Sequence, residues 1–295
     1  MKIFVVIQKS ATLYKFGGHA KLAIRGKLNV AIGLYVIRVI LSDTAEVIMK
    51  PTEKETITKV NSDITLIQNP NGLTFGTDAL LLSAYVRRSP SANAAEFGAG
   101  SGIISLLLAK REKLRHIDAV EIQPEYHSIT DRNISLNGLD DKISAVRTDI
   151  RELSGSYDVI FSNPPYMKTD CGKRNEDDGK YIARHEVCGS IADFCGSAGR
   201  ALKFGGIFYC VYRPDRAIDL ICAMRNAGIE PKRITFVYPT SDHKPSLMLT
   251  EGKRGAGSGV IVTKPLIIYN DDSVNMTDSM KYIYENGDFE DEYRK

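Results

Sequence analysis

The feature that most constrains the fold is a regular alternation of strand-like and helix-like segments, which begins at Ala94. Strands are predicted at 94–97, 116–122, 143–148, 157–162, 207–212 and 233–237, and helices at 103–110, 124–137, 191–202 and 216–227. Such alternation is typical of an α/β domain with a doubly wound, mostly parallel sheet. Two further strand-like segments, 246–251 and 259–262, flank a glycine-rich stretch and predict an antiparallel hairpin at the sheet edge.

Acidic and small residues fall where the first three of these strands end. In doubly wound sheets, ligands bind at the edge formed by the carboxyl ends of the strands. Small residues let the backbone approach a ligand closely, and a helix that starts there presents unpaired N–H groups. The candidate cofactor contacts at this edge are Glu96, Gly98, Ala99, Gly100, Gly102, Glu121, Ile122, Asp149 and Ile150.

The spacing of the glycines indicates which cofactor this edge binds. A dinucleotide fingerprint requires glycine at position 103, which is isoleucine here, and this disfavours NAD. Glu121 is placed to accept hydrogen bonds from ribose hydroxyls, and Asp149 from an adenine amino group that Ile150 covers. Each acid alone is also compatible with a surface role. Together they favour a cofactor with adenine, ribose and an electrophilic centre but no pyrophosphate, which is S-adenosylmethionine.

The fourth strand, 157–162, runs directly into Asn163, Pro164, Pro165 and Tyr166. Two prolines hold the main chain rigid and remove two backbone donors. The Asn163 amide oxygen and a backbone carbonyl can then accept hydrogen bonds from a planar NH2 group whose ring stacks on Tyr166. These four residues are the predicted catalytic group, with Asn163 also touching the cofactor. The alternative is a strand that merely ends in a proline-rich turn.

Composition is ordinary for a globular protein, with 43% hydrophobic and 25% charged residues. No apolar stretch is long enough to span a membrane, and five cysteines without a C-x-x-C pair predict reduced thiols and no metal site. The net charge of +3 is uneven, because residues 1–50 carry eight Lys and Arg against two acids. A nucleic-acid partner would therefore have to bind a local basic patch.

We divide the chain into four parts. Residues 1–48 are expected to be an extension outside the native protein, with Met49 as its start, although a targeting peptide is a competing interpretation. Residues 49–90 form a strand and helix segment that packs on the catalytic domain, 91–285. Residues 286–295 are an acidic tail, expected to be frayed.

The helix after Phe75 has two interpretations. Thr77 or Asp78 is its predicted N-cap, and both are candidate cofactor contacts. The helix could equally be a lid on the main domain.

The motifs at Glu96 to Gly102, Glu121, Asp149 and Asn163 to Tyr166 resemble those of class I methyltransferases that act on exocyclic or amide nitrogens. The resemblance implies S-adenosylmethionine as cofactor and a seven-stranded, Rossmann-like sheet. Stretches 75–82, 182–186, 251–255 and 265–269 look like the bacterial tRNA(Val) adenine-37 N6-methyltransferase family, over residues 60–285. That likeness implies methylation of the adenine immediately 3′ of the anticodon.

The resemblance also implies a tRNA partner, a cytoplasmic protein, and a monomer with no membrane association and no obligatory protein partner. Candidate phosphate contacts are Arg184, His185, Lys253 and Arg254, with Lys244 nearby. Arg184 could instead pair with a neighbouring acid, and Lys253 and Arg254 could form a solvated turn.

Four other functions remain open on the sequence alone. Release-factor glutamine methylation shares the Asn-Pro-Pro-Tyr motif but comes with an N-terminal helical domain that residues 1–60 do not resemble. Guanine-N2 methylation of rRNA is not excluded by the motif. A catalytically silent RNA-binding module is disfavoured by the intact motifs, and an NAD-dependent dehydrogenase by Ile103.

Overall fold

The structure is a computed structural model of the chain, and it describes residues 11–16, 19–24, 51–52, 55–69, 75–165, 189–271 and 273–294. The chain forms two compact units, 1–50 and 51–295. In the first unit, β1 (Ala11–Phe16) pairs antiparallel with β2 (His19–Ile24). Whether residues 1–48 belong to the native protein stays a prediction.

The second unit begins with β3 (Thr56–Lys59), β4 (Thr65–Gln68) and α1 (Thr77–Tyr85). The alternating region follows with β5 (Ser89–Phe97), α2 (Ile103–Lys110), β6 (Leu114–Val120), α3 (Pro124–Leu136), β7 (Ile143–Val146), β8 (Tyr157–Ser162), α4 (Ile191–Ala201), β9 (Leu202–Tyr212), α5 (Ala217–Asn226) and β10 (Ile229–Tyr238). It ends with β11 (Leu247–Arg254), β12 (Ile261–Val262), β13 (Leu266–Ile267) and α6 (Asp278–Asn286). No helix in the described part of the chain combines the length and the apolar character that a membrane span requires.

The central sheet has the strand order β12-β10-β11-β9-β8-β5-β6-β7, with β13 also beside β10. Strands β7, β6, β5, β8 and β9 are parallel to one another, and β11 is antiparallel to both β9 and β10. The predicted class, a doubly wound, mostly parallel sheet with an antiparallel hairpin at one side, is confirmed. Seven strands from β7 to β10 make up the main sheet.

The predicted pairing of 246–251 with 259–262 is wrong, because β10 lies between β11 and β12. The hairpin consists of β10 and β11, and β12 pairs parallel with the far side of β10. After β11 the chain turns at Gly255, whose φ is +70° and whose N–H donates to the Gly228 carbonyl at 2.9 Å. The glycine-rich stretch thus leads the chain past the end of β10 instead of forming a hairpin tip.

The core consists of two apolar clusters, one on each face of the sheet. In β8 the side chains alternate, so Val159 and Phe161 join one cluster and Ile160 joins the other. Helices α1 and α2 cover the first face, and α4 and α5 cover the second. Burial on both faces explains why the strands appear in the sequence as nearly continuous apolar runs.

Side-chain hydrogen bonds join the small β3–β4 sheet and α1 to this framework. The Asn133 amide accepts from the Ile67 N–H at 2.7 Å and donates to the Ile67 carbonyl at 3.0 Å, and so fixes β4 along α3. The buried Lys113 ammonium donates to the carbonyls of Ser83, Ala84 and Val86 at 2.7–3.0 Å and caps the C-terminus of α1.

The end of the chain is packed against the main domain. Phe289 and Tyr293 are each 2% exposed, and the buried Arg233 guanidinium donates to the Tyr293 carbonyl at 3.0 Å. The expectation of a frayed tail is therefore wrong for residues 288–294, because two aromatic side chains among the acidic residues are buried in the core.

Candidate active site

A cavity of about 410 Å³ lies at the carboxyl ends of β5, β6 and β8. Its size is within the range of small-molecule sites. The lining comes from the segments that follow four parallel strands and from the starts of α1, α2 and α4. The topology therefore brings together residues that lie up to 119 positions apart, between Phe75 and Phe194.

The glycine loop forms one wall of this cavity. The N–H groups of Gly98 and Ala99 both donate to the Val120 carbonyl, at 2.9 and 3.0 Å, and this double contact bends the loop at the end of β5. Gly98 and Gly100 have φ of +73° and +58°, in the left-handed region that favours glycine. Beside Gly98 stands Phe194, which a β-carbon at position 98 would approach to 3.6 Å.

Gly102 was predicted to contact the cofactor, but it is absent from the residues that line the cavity. It is the N-cap of α2, with φ of +78°, and a β-carbon there would lie 3.0 Å from the Thr130 methyl group. Its role is the close approach of α2 to α3. Contact of Gly102 with the cofactor stays a prediction, and the structure supports a role in helix packing.

Glu121 lies at the end of β6, buried in the cavity wall. Its carboxylate accepts from the Gly100 N–H at 3.0 Å and from the Gln123 N–H at 2.9 Å. Burial raises its pKa, against the opposing effect of these backbone donors. The side chain therefore connects the glycine loop to the end of β6 and also faces the cavity.

Glu96 also lines the cavity and is 1% exposed. Its carboxylate accepts from the Ser105 N–H at 3.1 Å and from the Ser105 hydroxyl at 2.5 Å, within the first turn of α2. Burial raises the pKa of Glu96 to about 8, despite these two donors. Near neutral pH the side chain is therefore largely protonated when the cavity holds no cation.

Asp149 and Ile150 follow β7 and both line the cavity. The Asp149 carboxylate is already held by Arg151, whose Nε lies 2.9 Å and whose terminal nitrogen 2.5 Å from the carboxylate Oδ2. Hydrogen bonding from this guanidinium holds the pKa of Asp149 below its usual range. An adenine amino group would share these oxygens with Arg151.

Asn163, Pro164 and Pro165 form the part of the wall that follows β8. The Asn163 amide nitrogen donates to the Asp78 carboxylate at 2.8 Å. Asp78 lies in the first turn of α1, which begins at Thr77 with Gly76 as its N-cap, so neither predicted residue is the cap. The Asp78 carboxylate also accepts from the Ala79 N–H at 2.9 Å.

The charge of the lining discriminates between cofactors. Among the described residues that line the cavity, four are acidic and none is Lys, Arg or His. Such a wall repels a pyrophosphate and attracts a ligand that carries a sulfonium and an ammonium group. Glu121, Asp149, Ile150 and the glycine loop are the residues that would hold S-adenosylmethionine, and the cavity fits it.

Other predicted contacts do not line the cavity. Thr77 is exposed and does not line the cavity. Arg254 pairs with Ile229, the first residue of β10, whereas the site lies beyond the ends of the parallel strands, where Ser162 pairs with Cys210. Lys253 and Arg254 are therefore at the opposite edge of the sheet, and the Arg254 guanidinium donates to the Leu202 carbonyl there.

Because β10 runs parallel to β8, the β10–β11 turn lies at the same edge as the cavity, and it contains the exposed Lys244. The candidate substrate contacts Tyr166, Arg184 and His185 lie outside the described residues.

Several lining residues were missed by sequence reasoning: Phe75, Gly76, Ala79, Ser101, Ile103, Ile104, Val120, Gln123, Thr148 and Phe194. A signal existed for Phe194. Ser190 and Asp193 form a capping box that marks the start of α4, and this start falls at the carboxyl edge of the sheet. Phe194 is the first buried residue of that helix.

Known proteins resemble this chain in sequence and in fold. The family model of the methyltransferase small domain matches residues 70–218. A tRNA1(Val) (adenine(37)-N6)-methyltransferase of Dyadobacter fermentans is 29% identical over 67% of this chain and 83% of its own. One of the same name from Phocaeicola vulgatus is 30% identical over 63% and 79%. A crystal structure described as a predicted O-methyltransferase from Agrobacterium tumefaciens superposes with a TM-score of 0.60 at 19% identity, over 72% of this chain and 98% of its own.

The fold, the acidic cavity and the family model define a class I methyltransferase that uses S-adenosylmethionine. Within that class, the chain belongs to the tRNA1(Val) (adenine(37)-N6)-methyltransferase family.

Proposed function

We propose that this protein transfers a methyl group from S-adenosylmethionine to the exocyclic N6 of adenine 37 in tRNA1(Val). The observation that carries the proposal is the position of Asn163 and Pro164, which follow β8 and line the acidic cavity. The name shared by the relatives supports the choice of adenine and of this tRNA.

The cavity lining supports cofactor binding by the predicted residues. When bound, S-adenosylmethionine would supply a methyl group on a positively charged sulfur, and this methyl group is the electrophile. Glu121 would hold the ribose, Asp149 and Ile150 would hold the adenine, and the loop around Gly98 would give the ligand close access to the backbone. Burial of Glu121 strengthens its hydrogen bonds to the ribose, because few waters compete for its oxygens.

The target adenine is unpaired in an anticodon loop, so extruding it costs only stacking energy. The Asn163 amide oxygen and the Pro164 carbonyl accept from its NH2 group and direct the nitrogen lone pair at the methyl group. As the bond from nitrogen to the methyl carbon forms, the bond from sulfur to that carbon would break, and its electron pair would return to sulfur, which leaves as the neutral thioether S-adenosylhomocysteine. The methylated nitrogen loses one proton, which passes to solvent through these acceptors. No strong general base is required, because the methylated amine is acidic before it loses this proton. Stacking of the base on Tyr166 stays a prediction.

RNA binding must extend beyond the cavity, whose described lining carries no cation. Lys244 is a suitable phosphate contact because its turn lies at the cavity edge, whereas Lys253 and Arg254 lie at the opposite edge. We further propose a cytoplasmic location, where the tRNA substrate is found, and a monomer that needs no other protein.

The test is methyl transfer with labelled cofactor. Purified protein is incubated with tritiated S-adenosylmethionine and total tRNA from a strain that lacks this modification, and the digested nucleosides are separated. Label in N6-methyladenosine, mapped to position 37 of tRNA1(Val), is the expected result. Label in N2-methylguanosine, or in release-factor glutamine in a parallel protein reaction, would overturn the choice of substrate. Cofactor binding without methyl transfer to any of these RNA or protein substrates would favour a catalytically silent RNA-binding module.

A further inference from the structure

The amide of Asn163 has two ends, and only one of them suits the proposed reaction. A side-chain amide can present either its oxygen, which accepts, or its NH2, which donates. The target amine is itself a donor, so the amide must present its oxygen. The reversed amide would place two donors against each other and remove the acceptor.

Asp78 resolves this ambiguity in the structure. Its carboxylate accepts from the Asn163 Nδ2 at 2.8 Å. An ionised carboxylate has no proton to donate, so it pairs only with the NH2 end of the amide. Rotation of the amide by half a turn would place the Asn163 oxygen against the Asp78 oxygens, which is repulsive. The charge on Asp78 thus selects the rotamer in which the Asn163 NH2 group faces Asp78 and the Asn163 oxygen lies on the side of the amide away from it.

Asp78 is itself held in place. Its other carboxylate oxygen accepts from the Ala79 N–H at 2.9 Å, and a β-carbon at Gly76 would lie 2.7 Å from that same oxygen. At the far end of α1, the Lys113 ammonium binds the terminal carbonyls of the helix. The helix is therefore fixed at both ends, and the Asp78 oxygens are fixed with it.

We propose that Asp78 is a positioning residue that keeps the Asn163 amide in its accepting orientation for the target amine, an inference that rests on the proposed function. Asp78 was predicted from sequence as a cofactor contact. Its hydrogen bond to Asn163 assigns it a second role, at the junction of the cofactor and the substrate.

The kinetic test compares Asp78→Asn with the wild-type protein in the tRNA assay. The amide at position 78 has nearly the shape of the carboxylate but can pair with either end of Asn163, so the orientation is no longer unique. We expect kcat to fall about 10- to 100-fold, with KM for S-adenosylmethionine changed less than about threefold. The matched control is Asp141→Asn, the same change at an exposed carboxylate outside the cavity, which leaves both constants unchanged.

A double variant shows whether Asp78 acts through Asn163. Asn163→Ala should reduce methyl transfer to a residual rate, measured in single-turnover assays at saturating cofactor, with little loss of cofactor affinity. Adding Asp78→Asn to it should lower that residual rate no further if the two residues act as one unit. A further fall in the residual rate, equal to that caused by Asp78→Asn alone, would mean that Asp78 acts independently of Asn163 and would overturn the proposal.

A measurement without substrate separates this proposal from the proposed function. In protein labelled with nitrogen-15 at asparagine, the Asn163 side-chain NH2 should show slow exchange in the wild type and fast exchange in Asp78→Ala. Unchanged exchange would overturn the positioning role. If the wild type methylates no RNA, the proposed function fails, and the exchange comparison still decides whether Asp78 orients the amide.

Discussion

The Glu121 carboxylate accepts a hydrogen bond from the Gly100 N–H at 3.0 Å, and this contact joins the ends of two neighbouring strands inside the cavity. The same carboxylate accepts from Gln123, so both oxygens have fixed directions before a ligand arrives. The proposed ribose contact would therefore cost little entropy for ordering this side chain.

Replacement of Glu121 by glutamine should weaken cofactor binding. The amide NH2 would face one of the two backbone donors, and only one oxygen would remain to accept. We expect the Kd for S-adenosylmethionine to rise about 10- to 100-fold, the effect of losing a hydrogen bond to a charged group. Isothermal titration calorimetry measures the change, and Glu125→Gln, at an exposed site on α3, is the control. An unchanged Kd for Glu121→Gln would remove this residue from the cofactor site.

Gly102→Ala should destabilise the fold in a way that a second substitution repairs. The φ of +78° is unfavourable for alanine, and the new β-carbon would lie 3.0 Å from the Thr130 methyl group. Gly138→Ala is the matched control, because its φ is +63° and nothing lies within 4 Å of the added carbon. We expect a cost of about 1–2 kcal/mol at position 138 and a larger cost at 102, measured by denaturant unfolding.

The repair follows from the geometry of Thr130. Its hydroxyl donates to the Gly100 carbonyl at 2.7 Å, and serine keeps that bond while it removes the methyl group. Thr130→Ser in the Gly102→Ala background should therefore restore stability to about that of Gly138→Ala. No recovery would mean that backbone strain alone, and not helix packing, requires glycine at 102.

Much of this architecture could be predicted from sequence because its signals are local. The apolar run 157–162 coincides with β8, and the glycines and acids of the cofactor site fall directly after strands. Strand neighbours are not local information. The segments around Gly255 contain nothing that specifies β10 as the strand that lies between β11 and β12, and this is why the hairpin was assigned wrongly.

The positions of several candidate site residues could not be read from the sequence for the same reason. Lys253 and Arg254 look like a basic turn, but the direction of β11 places them at the edge opposite the cavity. The Asn163 contact with Asp78 joins residues 85 positions apart, and no periodicity encodes it. Asp149 and Arg151 are only two residues apart in sequence. Even so, the sequence does not show that their side chains pair, and the structure does.

Arg151 should oppose cofactor binding. Its guanidinium hydrogen-bonds to the Asp149 oxygens that an adenine amino group would use, and it is largely exposed. Because solvent screens this exposed ion pair, the effect should be small, and Arg151→Ala should lower the Kd for S-adenosylmethionine about two- to fivefold. Arg151→Lys keeps the charge without the paired contact and should give an intermediate value. Weaker binding by Arg151→Ala would instead mean that the arginine holds Asp149 in its binding orientation.

Cofactor binding should depend on pH through Glu96. Burial raises the pKa of this carboxyl from its ordinary value to about 8 in the cavity without ligand, and a bound cation favours the ionised form. Below pH 8 binding must therefore release a proton, so affinity should rise as the pH approaches 8 and level off above that value. Calorimetry in buffers with different ionisation enthalpies detects the released proton, and Glu96→Gln should abolish it.

Glu96 should also make the stability of the ligand-free protein depend on pH. Stability should fall as the pH rises, whereas cofactor affinity should increase. Because the pKa of Glu96 is higher in the folded than in the unfolded chain, the folded state binds more protons between about pH 4.5 and 8. Its contribution to the free energy of unfolding is therefore complete below pH 4.5 and is lost as the pH rises through 8. Urea unfolding at several pH values should show that Glu96→Gln flattens this decline. An equal slope in both proteins would assign the pH dependence to another group.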